Sequence, residues 1–190
     1  MNNEMSSAVA AEVEDGVDIR RCLPGDEARL SAVGGATFLD TFAGVLAGDD
    51  ILGHCERQHA VQRYAAWLAD PHCALWLAEA RPGNAPIGFA MLSPPDLPSV
   101  PTQAGDVELK RIYLLHRFHG GGHGARLMQA AIGEARVRGA GRLLLGVYAK
   151  NERALAFYAR KGFVPIGERR FRVGDNEYED RILALDLVAA

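Results

Sequence analysis

The chain of 190 residues is poor in cysteine, has no surplus of basic residues and contains no long apolar run. Its three cysteines, Cys22, Cys55 and Cys73, form no C-x-x-C pair, which excludes a disulfide framework and a zinc finger and predicts reduced thiols. Lys and Arg total 21 against 24 Asp and Glu, and this net charge of −3 argues against a nucleic-acid-binding surface. No apolar stretch approaches the roughly 20 residues that span a bilayer. We therefore expect a cytoplasmic protein that binds neither nucleic acid nor a membrane.

The N-terminal segment has neither the positive start nor the apolar run of a secretory signal. Residues 1–16 carry only acidic charges, which predicts a disordered acidic leader. Hydrophobic residues make up 48% of the whole chain, which is ample for one core. No internal repeat or change of composition divides the rest. We predict a single domain over residues 17–190.

Hydrophobic periodicity and turn residues predict the order strand, helices, three strands, helix, strand, helix and two strands. The predicted strands are 17–20, 73–80, 86–92, 106–115, 142–149, 163–173 and 178–187. The predicted helices are a region from about 30 to 42 that Gly34 and Gly35 weaken, one helix over about 49–68, and helices over 122–138 and 151–161. The strand–helix–strand unit from 106 to 149 should be a right-handed parallel crossover. The fold class is α/β, one domain with a mixed sheet of about seven strands and about four helices.

Four of the five residues from 120 to 124 are glycine, and they lie between a predicted strand and a predicted helix. Glycine lets a ligand approach the backbone, and the N–H groups of a helix N-terminus bind anions. The segment has no Gly-Lys-Ser/Thr and does not match the dinucleotide fingerprint. A phosphate cradle, with added charge from Arg117 and Arg126, and a simple flexible turn both remain open. No cysteine or acidic residue lies at ligand spacing from the three nearby histidines, so no metal site is predicted there (His116, His119 and His123).

The strand that precedes this turn changes phase near Arg111. Val107 and Leu109 alternate with polar residues, as in a half-buried strand, but Arg111 then falls on the apolar phase and is followed by the apolar residues 112–115. A one-residue slip would reconcile the two halves, and such a slip is typical of a β-bulge. A strand end that is buried on both faces explains the pattern equally well.

Two segments carry recognisable motifs: Glu-Leu-Lys-Arg-Ile-Tyr-Leu at 108–114, followed by the glycine turn, and the segment 151–163. They resemble the GNAT (Gcn5-related) N-acetyltransferase superfamily. The turn fits its pattern Gln/Arg-x-x-Gly-x-Gly/Ala at 119–124, except that His119 replaces Gln or Arg. The similarity covers about 17–187 and is strongest from 108 to 167. A narrower similarity, in 37–42, 146–152 and 171–175, is to the PaiA-type polyamine acetyltransferases.

The resemblance implies that acetyl-CoA is the donor and binds in a cleft where two neighbouring parallel strands splay apart. Lys161 or Arg160 would meet the outer phosphate, and Asn151 would contact the cofactor, cap its own helix, or both. The pantetheine arm would pair with backbone groups of Ile112, Tyr113 and Leu114. The pyrophosphate would be held by the turn, namely by Arg117, His119, Gly120, Gly121, Gly122, His123, Gly124 and Ala125.

The resemblance also assigns Tyr158 as the acid that protonates the departing thiolate, which suits a phenol with a pKa near 10. Its alternative is a core aromatic residue on an amphipathic helix. Glu108 is the candidate base that takes a proton from the amine through water, and its alternative is an ordinary outward-facing carboxylate. Asp40 could bind a cationic acceptor or be a solvated acid on a helix face.

We therefore expect an N-acetyltransferase that transfers acetyl from acetyl-CoA to a primary amine by direct attack, with no metal and no covalent enzyme intermediate. The resemblance to PaiA favours a small polycationic amine, such as a polyamine, as the acceptor. Two alternatives remain open: acetylation of a protein N-terminus or lysine, and a CoA-binding sensor without turnover. A homodimer is common for this fold, although no residue of the sequence indicates one.

Overall fold

The computed structural model describes residues 16–174 and 176–187, which form a seven-stranded mixed sheet with α-helices on both faces. This confirms the predicted α/β class. The elements are β1 (Val17–Arg21), α1 (Glu27–Phe42), α2 (Gly48–Gln58), α3 (Val61–Ala69), β2 (Ala74–Ala80), β3 (Ala85–Ser93), β4 (Asp106–Leu114), α4 (His123–Val137), β5 (Arg142–Tyr148), α5 (Glu152–Arg160), β6 (Val164–Val173) and β7 (Asn176–Asp186). A single 3₁₀ turn, His116–Phe118, lies between β4 and α4.

The predicted acidic leader, apart from Gly16, lies outside the described residues, as do Asp175 of the predicted last turn and residues 188–190. Within the described ranges, none of the helices combines the length and the apolar character needed to cross a membrane. The three cysteines are free thiols.

Helices cover both faces of the sheet because successive strand residues point to opposite sides. On the side that we call the α4 face, α4 and α5 pack over the sheet, and Leu127 and Trp76 lie in one buried cluster. On the opposite side, the α1 face, α1 and α3 pack over the sheet, and Tyr64 lies in a second cluster with Leu75 and Leu77. The alternation of Leu75, Trp76 and Leu77 between the two clusters shows that the middle of the sheet is buried on both faces.

The sheet order is β1-β2-β3-β4-β5-β7-β6, and every neighbouring pair is antiparallel except β4 and β5. The parallel pair is joined only at Asp106↔Arg142, Val107↔Leu143 and Glu108↔Leu144. Beyond these three pairs, β4 continues to Leu114 and β5 to Tyr148 without pairing with each other. The predicted splay is therefore confirmed, and it opens a gap in the middle of the sheet.

A β-bulge lies in β4, as one of the two alternatives for this strand predicted. Met91 pairs with Arg111, whereas its neighbour Leu92 pairs with Leu109, so Lys110 is an extra residue in the strand. Leu109 packs against the α4 face. The extra residue turns the Arg111 side chain to the α1 face, where α3 lies.

The single helix predicted over 49–68 is wrong, because the chain breaks into α2 and α3 at His59 and Ala60. Ala60 has extended backbone angles, and the His59 ring is buried, with its Nδ1 2.8 Å from the Tyr64 hydroxyl. Ser31 of α1 donates a hydrogen bond to the His59 carbonyl at 2.6 Å. The bond from Ser31 replaces the helical hydrogen bond that the His59 carbonyl would accept in a continuous helix. Because Ser31 lies in another helix, the local apolar pattern did not reveal the break.

The buried side of α2 includes a histidine that the apolar pattern also did not reveal. His54 stacks on the Phe38 ring with centroids 4.1 Å apart, whereas the apolar side chain of Leu52 is 61% exposed. Burial, reinforced by the cation of Arg111, lowers the pKa of His54 to about 4 and that of His59 to about 3. Both rings are therefore neutral at neutral pH.

We predict that alanine at Gly34 and alanine at Gly35 have opposite effects on stability. A Cβ at Gly34 would collide with the Tyr64 hydroxyl and with Nδ1 of His59, whereas a Cβ at Gly35 would meet nothing within 4 Å. Gly34→Ala should lower the free energy of unfolding by about 1–3 kcal/mol through overpacking. Gly35→Ala should raise it by up to about 1 kcal/mol because alanine favours a helix. Urea denaturation of the two variants measures both, and equal effects would contradict the collision at Gly34.

We also predict that the free energy of unfolding falls as the pH drops below about 6.5, the ordinary pKa of histidine. The unfolded chain binds protons at His54 and His59 that the folded protein does not bind, so stability is present above this pH and is lost towards the lower folded pKa values. Each ring contributes a slope of up to about 1.4 kcal/mol per pH unit. Urea denaturation of His59→Gln across this range should show a smaller slope than the wild type, and an unchanged slope would contradict the prediction.

Candidate active site

A cleft of about 1150 Å³ lies along the gap between β4 and β5 and reaches both faces of the sheet. The glycine turn and α5 line it on the α4 face, and residues of α1, α2, α3 and β6 line it on the α1 face. It brings together thirteen predicted site residues: Glu108, Ile112, Tyr113, Leu114, His119, Gly120, Gly122, Gly124, Ala125, Asn151, Tyr158, Arg160 and Lys161. Four other predicted site residues do not line the cleft: Asp40, Arg117, Gly121 and His123.

The glycine turn opens directly into the cleft. Gly120 has φ of 94° and Gly122 has φ of 79°, a left-handed conformation that favours glycine. A Cβ at Gly120, Gly122 or Gly124 would meet nothing within 4 Å, so open space borders the backbone here. The N-terminal amides of α4 and the positive end of its dipole lie at the same place. The turn therefore fits a phosphate group.

Some side chains of the predicted turn have structural partners within the protein. His119 donates from Nε2 to the Leu114 carbonyl at 2.8 Å, which ties the turn to the end of β4. Arg117 is exposed, and its Cζ lies 4.7 Å from the centroid of the Phe118 ring. Among the described residues, no three His, Cys, Asp or Glu side chains are grouped as ligands for a metal.

The end of β4 has no strand partner on the side of the gap, although the Leu114 carbonyl accepts from Nε2 of His119. Ile112, Tyr113 and Leu114 pair with residues 88–90 of β3, but the ladder to β5 has already ended at Glu108. An edge of this kind accepts an extended ligand that carries amide groups, which adds to the sheet as a strand does.

Tyr158 is a core residue that also lines the cleft, so its burial in the core does not remove it from the site. It is 8% exposed, and its ring centroid lies 5.5 Å from that of Phe157 and 5.7 Å from that of Phe163. Burial, followed by the neighbouring Tyr113, raises the pKa of the Tyr158 phenol above its ordinary value. The hydroxyl therefore stays protonated at neutral pH, which is the form that donates a proton.

Both ends of α5 border the cleft. Asn151 accepts a hydrogen bond from the Ala154 N–H at 3.0 Å, so its predicted role as the helix cap is confirmed. Lys161 follows the last residue of α5, and Arg153 and Arg160 also line the cleft. These three cations make the α4 face of the cleft positive beside the glycine turn.

Glu108 lies at the closed end of the gap. It is 2% exposed, so the alternative of an ordinary outward-facing carboxylate is excluded. Its Oε2 accepts a hydrogen bond from the Asp96 N–H at 2.7 Å, and Nζ of Lys110 lies 4.0 Å from the same oxygen. A carboxylate held in this way has a fixed position at the last residue that joins β4 to β5.

Asp40 joins α1 to the 3₁₀ turn. Its Oδ2 accepts hydrogen bonds from the His116 N–H at 2.7 Å and from the His116 ring nitrogen Nδ1 at 2.9 Å. These bonds, the backbone one foremost, lower the pKa of the Asp40 carboxyl. The structure does not bring Asp40 to the cleft.

Apart from Glu108, the charged residues that line the cleft on the α1 face were not identified as site residues from the sequence. The cations are Arg57, Arg63, Lys110, Arg111, Arg169 and Arg172, and the acids are Asp96, Glu108 and Asp180. Nζ of Lys110 lies 3.2 Å from the Asp96 carboxylate, and Nε of Arg169 lies 3.1 Å from the Asp180 carboxylate. This side of the cleft therefore carries an excess of positive charge. In the sequence, the feature that pointed to this charge was Arg111, a cation at an apolar position of the alternating pattern of its strand.

In comparisons with known proteins, both the sequence and the fold of this chain are similar to those of acetyltransferases. The model of the acetyltransferase (GNAT) family matches residues 45–163. Uncharacterized N-acetyltransferases of Mycobacterium tuberculosis and Mycobacterium bovis are 36% identical over 163 residues, which cover 86% of this chain and 99% of each relative. The solved PaiA N-acetyltransferase of Thermoplasma acidophilum, in complex with coenzyme A, has a TM-score of 0.72 at 20% identity, covering 90% of this chain and 98% of that one. The chain belongs to the GNAT family of acetyltransferases.

Proposed function

We propose that this protein transfers the acetyl group of acetyl-CoA to the primary amine of a small molecule. The observation that carries the proposal is the gap where β4 and β5 part, with the glycine turn on one side and with Glu108 and Tyr158 beside it. Membership of the GNAT family supports the reaction type. The coenzyme A in the similar PaiA structure supports the donor.

The donor would be held at two places on this chain. The backbone amides from 119 to 125 would bind the pyrophosphate, with the cations of α5 close by. The edge of β4 at Ile112, Tyr113 and Leu114, which has no strand partner, would pair with the amides of the pantetheine arm. A donor bound at both places extends along β4 from the turn towards the bulge, which brings its thioester into the gap.

The reaction needs one proton removed and one proton supplied. The amine nitrogen forms a bond to the acetyl carbonyl carbon, and the carbon–sulfur bond breaks with its electron pair on sulfur. Tyr158 gives its hydroxyl proton to this sulfur, and Glu108 takes a proton from the amine through water. Exchange with solvent restores both groups. Assistance at the amine is useful because only about one lysine-like amine in a thousand is neutral at neutral pH.

We predict that Tyr158→Phe lowers kcat by at least about a hundredfold and leaves the KM for acetyl-CoA nearly unchanged, because the ring still fills the core but no proton reaches the sulfur. Release of CoA thiol measures both constants. Tyr148→Phe removes a hydroxyl from another residue that lines the cleft and is the matched control, with activity close to wild type. An unchanged kcat for Tyr158→Phe would remove Tyr158 from the mechanism.

We predict that Glu108→Gln lowers kcat/KM for the amine by about a hundredfold. The amide oxygen can still accept from the Asp96 N–H, so the position of the side chain is kept while its basicity is lost. The deficit should shrink as the pH rises, because a larger fraction of the amine is then neutral without assistance. The pH–rate profiles of the wild type and the variant measure this, and identical profiles would exclude Glu108 as the base.

A polyamine is the second candidate for the acceptor, and the similarity to PaiA-type enzymes favours it. The carboxylates that would attract it on the α1 face are Asp96, Glu108 and Asp180. Lys110 and Arg169 already neutralise two of these, so a polycation would meet more arginines than unpaired acids. The charge on this face therefore favours an acceptor other than a polycation.

A further inference from the structure

Arg111 is a half-buried cation of the α1 face whose hydrogen bonds go to neutral groups. Its guanidinium donates to the Gln58 carbonyl oxygen at 3.0 Å and to the Gln58 side-chain oxygen at 3.4 Å. Within 16–174 and 176–187, no carboxylate forms an ion pair with it. A charge withdrawn from water is costly unless an opposite charge approaches it. Arg111 is therefore suited to bind an anion that enters the cleft.

Trp67 of α3 holds two guanidinium groups over its ring. The Cζ of Arg111 lies 4.6 Å from the centroid of the Trp67 ring, and the Cζ of Arg63 lies 5.1 Å from it. All three residues line the cleft. Stacking of this kind fixes the plane of a guanidinium and the direction of its N–H donors. We call Arg111, Arg63, Trp67 and Gln58 the Arg111 site.

The groups around the Arg111 site do not cancel its charge. His54 and His59 are neutral at neutral pH, because burial, and after it Arg111 itself, depresses the pKa of both rings. Asp96 and Asp180, two of the three acids on this face of the cleft, have cationic partners of their own. Glu108 accepts from a backbone N–H and faces Lys110. Arg57 of α2 adds a further positive charge to the lining.

The Arg111 site lies on the opposite face of the sheet from the residues that fit the phosphates of the donor. The bulge at Lys110 turns Arg111 to the α1 face, whereas Ile112 packs against the α4 face. The glycine turn and the cations of α5 supply the α4 face with its own anion-binding groups. The Arg111 site is thus available to the second substrate, which must approach the gap from the other side.

We propose that the acceptor is a small amine that also carries a carboxylate, that is, an amino acid, and that Arg111 binds this carboxylate. The proposal rests on the proposed acetyl transfer and names the substrate class of the same site. A guanidinium matches a carboxylate with two parallel N–H donors, and one guanidinium neutralises one carboxylate. The amine of the bound amino acid then forms the amide bond, and CoA leaves as the thiol. A polyamine has no anionic group for this site.

The first test compares each amino acid with two analogues that have no carboxylate: in one a neutral amide replaces it, and in the other it is removed. A panel of amino acids of different side chains is assayed by release of CoA thiol, beside the amide and the decarboxylated amine of each. We expect at least about a tenfold higher kcat/KM for the favoured acid than for either analogue. The amine of an amino-acid amide is less basic than that of the acid, so a preference for the acid does not come from a larger neutral fraction.

The second test changes the arginine. Arg111→Gln should raise the KM for the amino acid by about tenfold to a hundredfold and leave the KM for its amide unchanged, because only the acid loses an ionic partner. Arg111→Lys keeps the charge but loses the planar guanidinium, so its KM for the amino acid should lie between those of the wild type and Arg111→Gln. Arg136→Gln removes an equal charge from the exposed side of α4, outside the cleft, and is the matched control. Calorimetric binding of acetyl-CoA by each variant shows that the fold and the donor site are intact.

The possible results of these two tests contradict different claims. Turnover of polyamines or decarboxylated amines that equals or exceeds that of every amino acid overturns the carboxylate site and leaves the proposed acetyl transfer standing. A preference for the acid that survives in both Arg111 variants overturns the assignment to Arg111. If Arg111→Gln does not bind acetyl-CoA, the KM values of Arg111→Lys for the amino acid and for its amide test the assignment to Arg111. Binding of acetyl-CoA without thiol release for any amine contradicts the proposed function itself and identifies a CoA-binding sensor.

Discussion

The early end of the parallel ladder between β4 and β5 is the constraint on which the rest of the site depends. Three residue pairs join the strands, and an ion pair of 2.7 Å between Arg142 and Asp106 holds them at the closed end. Beyond Glu108 the hydrogen-bonding groups that face the gap have no strand partner within the described chain. Such groups are costly to bury without partners, so the gap persists as a site for a ligand that supplies them.

The bulge at Lys110 decides what each face of the gap contains. A shift of one residue moves every later side chain of a strand to the other face. Without the extra residue, Arg111 would lie among the apolar residues under α4, and Ile112 would lie beside Trp67. With it, apolar side chains of β4 face the α4 side and a cation faces the α1 side. One inserted residue thus separates the face where we propose that the donor binds from the face where we propose that the acceptor binds.

The parts of the fold that local sequence determines were predicted correctly. The continuous apolar centre of β5, the spacing of apolar residues in α4 and the cap at Asn151 depend only on near neighbours and on burial. The bulge was one of two alternatives, because the pattern around Arg111 fits either a β-bulge or a strand end that is buried on both faces. These features place the glycine turn, Tyr158 and Glu108 in the correct elements.

The parts that depend on distant segments were not predictable from the same signals. At the break after α2, the His59 carbonyl accepts its hydrogen bond from Ser31 of α1, a distant part of the chain. From the sequence, Asp40 could be a solvated acid on a helix face, but in the structure it accepts a hydrogen bond from the His116 N–H and joins α1 to the 3₁₀ turn. The charge of the α1 face is the sum of arginines from α2, α3, β4 and β6, and no single segment is unusually basic.

The positive charge of the α1 face also bears on the chemistry proposed for the amine. Nearby cations disfavour an ammonium group and lower its pKa, and each unit of that shift increases the neutral fraction about tenfold at neutral pH. The same cations would repel an acceptor that is only positive. An acceptor with a carboxylate resolves this conflict, because the carboxylate offsets the repulsion on binding at Arg111. The remaining arginines and Lys110 would then favour loss of the amine proton to Glu108, the proposed base, so one arrangement of charge would serve both substrate selection and activation of the nucleophile.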